Sequence, residues 1–142
     1  MKRKYNILML FLTVSAIIII FSLLYIWGFA MNVNSKFATE AKLEYHYNDT
    51  NISLTITDTD DFVILQNILA GRVFKDSPSC GFSVSISITM TNGQKSIVFC
   101  IANDGCPLLR IDETNKYLKI SDDDRVVLNI ILEKYGMIFP CI

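Results

Sequence analysis

Histidine is nearly missing from this chain: His46 is the single one among 142 residues. A Ser-His-Asp or Cys-His arrangement would have to run through it, and the local pattern places it on the polar side of a strand. No H-E-x-x-H, P-loop or glycine-rich dinucleotide fingerprint occurs. Zinc hydrolysis, P-loop phosphate binding and dinucleotide binding therefore lack their usual parts. No catalytic residue and no cofactor is expected, and the chain reads as non-enzymatic.

Charge is also missing from one long stretch. Ile7 to Ala30 carries no charged residue and follows Lys2, Arg3 and Lys4. A hydrocarbon core about 30 Å thick is crossed by roughly 20 apolar residues in a helix. Thr13, Ser15 and Ser22 interrupt the run, and their hydroxyls can bond back to the preceding turn. The pattern predicts a cytoplasmic basic tail over 1–6, a transmembrane anchor over 7–30, a polar stalk over 31–40 and an extracytoplasmic domain over 41–142. The partner this implies is the membrane, crossed once with the N-terminus in the cytoplasm. A cleaved signal peptide is the rival reading, with Gly28 and Ala30 as small residues near a cleavage site. The run is longer than the 7–15 residues of an h-region, and Tyr25 and Trp27 suit an interfacial belt.

Near-neutrality hides a split. Lys2, Arg3 and Lys4 take three of the thirteen Lys/Arg, leaving ten against fourteen Asp/Glu over residues 31–142, a net of −4. That balance gives no electrostatic reason to bind nucleic acid. All four cysteines, Cys80, Cys100, Cys106 and Cys141, lie in the same part. An even number in an oxidising compartment reads as two disulfides. Zinc is the competitor, but there is no C-x-x-C pair and His46 is far upstream.

Ala41, Leu43, Tyr45 and Tyr47 alternate with Lys42, Glu44 and His46, and Ile52, Leu54 and Ile56 alternate in the same way. With Asn48-Asp49-Thr50-Asn51 between them, they predict a hairpin. Asp58 then caps a helix with the stripe Phe62, Leu65, Ile68 and Leu69, stopped at Gly71. Residues 72–79 read as a loop. Phe82, Val84, Ile86, Ile88 and Met90 alternate with Ser83, Ser85, Ser87, Thr89 and Thr91 before Asn92-Gly93, a two-residue turn signal. With Thr91 opposite Gln94, Ile88 faces Ile97, Ile86 faces Phe99 and Val84 faces Ile101. Continued outward, this register brings Cys80 close to Cys106 and leaves Cys100 for Cys141. The rival pairing is Cys100–Cys106 with Cys80–Cys141. Pro107 to Ile111 and Lys116 to Ile120 are two further strands. A last helix is capped by Ser121, with Asp122, Asp123 and Asp124 in its first turn and Val127, Leu128, Ile131 and Tyr135 as its stripe.

These elements predict an α+β fold, one antiparallel sheet with two helices on its apolar face. The order from Ile52 onward, β-α-β-β-β-β-α, looks like the TATA-binding-protein-like topology. The acidic groups Asp58/Asp60/Asp61 and Asp122/Asp123/Asp124 lack the glycine and distal glutamate of a calcium loop and sit where helix starts favour negative charge. No metal ligand is therefore assigned. Ser83, Ser85, Ser87, Thr89, Thr91 and Ser96 form the solvated side of the sheet; the functional alternative is a flat interaction surface. Asn48-Asp49-Thr50 and Asn51-Ile52-Ser53 match the N-glycosylation pattern.

Ser77-Pro78-Ser79-Cys80-Gly81-Phe82, then Ser87-Ile88-Thr89-Met90-Thr91-Asn92-Gly93, Phe99-Cys100, Asp104-Gly105-Cys106-Pro107 and Tyr135-Gly136-Met137-Ile138-Phe139-Pro140-Cys141 carry a resemblance. Over roughly residues 52–142 the chain resembles a small cysteine-bearing domain of clostridial and related Firmicutes membrane proteins. That domain is associated with the extracytoplasmic end of membrane metallopeptidases similar to β-lactam sensor–antirepressors. The peptidase half and its zinc motif are absent here, so the resemblance implies an outward-facing sensing or binding domain and no proteolysis. The leading expectation is a membrane-anchored, extracytoplasmic binding or sensor-like module. The alternatives are a thiol–disulfide or metal-handling protein, and an inhibitor or immunity-type interaction domain acting on another exported or membrane protein.

Overall fold

Alternating apolar and polar residues pair into one open sheet in the computed structural model, which describes residues 13–23, 32–47, 49–112 and 114–137. The chain divides into two units, Met1–Asn32 and Val33–Ile142. In the first, residues 13–23 are helical (α1), and the Ser22 hydroxyl donates to the Ile18 carbonyl at 2.8 Å. Among the described residues no helix is long and apolar enough to cross a membrane. The expected anchor over 7–30 is corrected on that finding. Residues 7–12 and 24–30 lie outside the described residues. The cytoplasmic N-terminus, the extracytoplasmic placement of 41–142 and the membrane as partner were all inferred from that anchor and are corrected with it.

The second unit holds β2 (Glu40–Tyr47), β3 (Thr50–Thr55), α2 (Thr59–Ile68), β4 (Gly71–Lys75), β5 (Phe82–Thr91), β6 (Ser96–Ala102), β7 (Leu108–Ile111), β8 (Lys116–Lys119) and α3 (Asp122–Lys134). With β1 (Asn32–Val33), the sheet order is β1-β4-β8-β7-β6-β5-β2-β3, eight strands among the described residues. The α+β class stands, but the TATA-binding-protein-like order does not. Residues 71–75, read as loop, form β4 and pair antiparallel with β8, so five strands lie between α2 and α3. Residues 32–40, read as a stalk, are folded in, with Val33, Ser35 and Ala38 buried and the Ser35 hydroxyl donating to the Leu69 carbonyl.

One face of the sheet is apolar across every strand. Leu43 pairs with Ile88, Ile88 with Phe99, and Phe99 with Ile111. All four are buried, with Leu65 and Ile68 from α2, Leu69 at its C-cap, and Leu128, Ile131 and Leu132 from α3 in the same cluster. The α3 stripe is rotated from the expected one: Leu132 is buried, whereas Val127 is 37% exposed.

The β5–β6 register also differs. Thr91 faces Ser96, Ile88 faces Phe99 and Ser87 faces Cys100, two residues from the expected pairing. Asn92 is the cause, because its side-chain oxygen accepts from the Gln94 and Lys95 amides at 3.1 and 2.9 Å, closing a four-residue loop. A shift of two leaves every side chain on its expected face. A bulge between Phe82 and Ser87 does not, since Phe82 pairs with Ala102 while Ser87 pairs with Cys100. Five steps along β5 match two along β6, which carries Phe82 to the face of Ser87 and Cys100.

Candidate functional site: a cysteine pair with a carboxylate

The bulge that turns Phe82 over also fixes the mouth of the hairpin. Past it, the Asn103 amide donates to the Gly81 carbonyl at 3.1 Å, which places Cys80 beside the loop that ends at Cys106. Cys80 and Cys106 form a disulfide with Cα atoms 6.1 Å apart, a separation ordinary for such bridges. Asp104 stands between the two arms. One carboxylate oxygen accepts from the Gly81 amide at 3.0 Å, and the other accepts from the Cys106 amide at 3.2 Å. A single side chain therefore positions the backbone beside both sulfurs. Gly105 makes the turn between them at φ +73°, a left-handed conformation suited to glycine.

One ligand-type atom from each of Cys80, Asp104 and Cys106 lies within 4.8 Å of the other two. Both cysteines are half-buried and Asp104 is exposed. Behind Cys106, a cavity of about 20 Å³ is lined by Ile101, Leu109, Ile120, Leu128 and Arg125 among others, room for about one water. Arg125 donates to the Gly105 carbonyl at 2.7 Å, and its Nε is buried with no hydrogen-bond partner among the described residues. A guanidinium thus sits one peptide group away from Cys106.

This constellation was only partly legible. Asp104 read as a turn residue; its spacing of two from Cys106 was the available signal. Arg125 is nineteen positions further on and gave none. Cys100 lies apart from the cluster, buried in β6, with its Sγ 3.6 Å from the Asp112 carbonyl and 3.8 Å from Arg110 Nη2. Cys141 lies outside the described residues, as does the pairing expected for it.

The serine and threonine residues of the supposed interaction surface are unequally placed. Ser96 is exposed, Ser83, Ser85, Thr89 and Thr91 are half-buried, and Ser87 is buried at 3%. His46 is exposed, 3.3 Å from Glu44. The first acidic group acts at a helix end: Asp58 accepts from the Asp60 and Asp61 amides. Asp61, 8% exposed, accepts from Lys134 at 2.7 Å and from the Tyr135 hydroxyl at 2.9 Å. Lys134 also reaches Asp58 at 2.9 Å, joining the start of α2 to the end of α3. Hydrogen bonding to Lys134 lowers the Asp58 pKa, and bonding to Asp61 and then Asp58 raises that of Lys134. Burial, followed by the bond to Asp61, raises that of Tyr135. In the second group, Ser121 caps α3 and donates to Asp124 at 2.7 Å.

Comparison with protein-family models, curated proteins and solved structures finds no match to this chain. The resemblance to a clostridial cysteine-bearing domain therefore rests on its quoted residues alone.

Proposed function

We propose that this domain handles a thiophilic divalent cation such as zinc at Cys80, Asp104 and Cys106, under control of the redox state of the two cysteines. The observation that carries the reading is the convergence of two sulfurs and a carboxylate within 4.8 Å. Thiolates, not a disulfide, ligate metal. The oxidised form therefore holds the sulfurs to each other, and the dithiol form offers two soft donors with Asp104 as a third. Zinc favours four-coordinate sulfur, nitrogen and oxygen sets, and closed structural sites use four protein ligands. Three donors leave one position open, which suits an ion that is acquired and passed on. Asp104 retains lone pairs for a cation while accepting the Gly81 and Cys106 amides. The reading replaces the membrane-anchored sensor module and assigns no turnover.

The test is zinc binding by the full chain after reduction by a phosphine and removal of reductant under anaerobic conditions. One equivalent is expected on the dithiol form and none on the disulfide form. Cys80→Ser and Cys106→Ser should each abolish binding, and Asp104→Asn should weaken it about tenfold or more. Cobalt(II) in place of zinc should give a thiolate charge-transfer band that either serine variant removes. Equal zinc uptake by the two redox forms would overturn the proposal.

A further inference from the structure

The β4–β8 ribbon carries charge in an unfavourable arrangement. Lys75 pairs directly with Lys116, Phe74 with Tyr117 and Val73 with Leu118. One step further, the register sets Arg72 opposite Lys119. Like charges directly opposite each other on neighbouring strands destabilise a sheet, and here there are two such pairs on one short ribbon. All four side chains are exposed, and none makes an ion pair among the described residues. The residues after 30 are net acidic, so this patch runs against the overall charge of the domain.

By strand alternation, Arg72, Phe74, Tyr117 and Lys119 share one face, the one opposite the helices. Arg72, Phe74 and Lys119 line an open groove of about 430 Å³ there, with Ile120 and Ser121 at its end. Phe74 is half-buried, and its ring lies 6.1 Å from that of Tyr117, which in turn lies 5.4 Å from Phe82. The Phe74 ring is therefore braced from the side. Of the three carboxylates next to Ser121, Asp124 accepts the Ser121 hydroxyl and Asp122 lies 3.7 Å from Arg125 at the helix end, while Asp123 is exposed.

We infer that this groove binds a mononucleotide, with Arg72 and Lys119 holding the phosphate and Phe74 stacking on the base. An anion between the two cations relieves their repulsion, and an aromatic ring beside a phosphate site suits a ligand that has both a charge and a flat ring. The inference is independent of the cysteine site and holds in either redox state.

Titration of the full chain at low salt with AMP, adenosine and inorganic phosphate, followed by calorimetry, tests it. AMP is expected to bind at least about tenfold more tightly than either half, and its affinity should fall with added salt. Arg72→Gln and Lys119→Gln should each weaken AMP about tenfold or more, and should raise the melting temperature of the free protein by removing a like-charged neighbour. Phe74→Leu should weaken AMP while leaving phosphate binding unchanged, and the melting temperature shows whether each variant is folded. Equal affinity for AMP and phosphate would overturn the stacking role. Absence of AMP binding at millimolar concentration, or a short single-stranded oligonucleotide displacing AMP at far lower concentration, would overturn the mononucleotide assignment.

Discussion

Single residues decide how the two helices meet. Asp61 is nearly buried, and its side chain is tolerated there because Lys134 and Tyr135 both donate to it; a buried acidic group without such partners is strongly unfavourable. The pH dependence follows from the shifts. Asp58 has its pKa lowered from 3.8, so its contribution is present above that value and is lost as pH falls through the folded pKa. Lys134 and Tyr135 have theirs raised from 10.5 and 10.0. Their contributions are present below those values and are lost as pH rises through the folded ones. The melting temperature, followed by circular dichroism, is thus expected to drop below about pH 4 and above about pH 10. Lys134→Gln should flatten the acid limb, since the lowering of Asp58 depends first on that lysine. An unchanged acid limb would show that other carboxylates set it.

At the scale of elements, the β5–β6 hairpin separates what period-two patterning decides from what turns decide. Patterning placed Ile88 and Phe99 in the core, where both are fully buried. Phe99→Ala is expected to cost about 3–5 kcal/mol in chemical denaturation, the range for truncating a large core side chain. Thr89→Ala on the other face should stay within about 0.5 kcal/mol. Ser121, whose hydroxyl accepts from the Asp124 amide at 3.0 Å, caps α3, and Ser121→Ala should cost about 1 kcal/mol. The loop length and the bulge were not legible. Asn92-Gly93 signals a two-residue turn, yet the Asn92 side chain holds a four-residue one. The local signal is the same for both, and the Asn92 side chain's bonds to the Gln94 and Lys95 amides close the longer one. The strand β4 was hidden for a related reason. Gly71–Lys75 is short and carries two cations, so it reads as loop until β8 supplies its partner.

For the whole molecule, the cysteine site ties the loop ending at Cys106 to the strand that begins after Cys80. The bridge spans 26 residues of sequence. Closing a loop of that size removes about 3.5 kcal/mol worth of unfolded-state entropy in the chain-entropy account. Reduction without metal is therefore expected to lower the denaturation free energy by about that amount. Zinc added to the reduced chain should restore part of it, because an ion bound by the folded state alone stabilises that state by mass action. A reduced chain whose stability ignores zinc would count against the proposed site, whatever its binding stoichiometry at high concentration.

The sequence by itself determined the α+β class, the hairpins, both helix caps of the folded unit and most of the core. Each of these follows from a local cause: alternation, a 3.6-residue stripe, or a side chain reaching a nearby amide. It did not determine that Asp104 would stand between two cysteines, that Arg125 would come to rest behind Cys106, or that Arg72 would face Lys119. Those juxtapositions depend on strand order, on a bulge that shifts the chain's phase, and on where α3 docks. They belong to the tertiary structure because residues distant in sequence carry no mutual signal until packing brings them together. The apolar run over 7–30 shows the converse, for a pattern sufficient to predict a membrane crossing was not matched by a helix of the required length among the described residues.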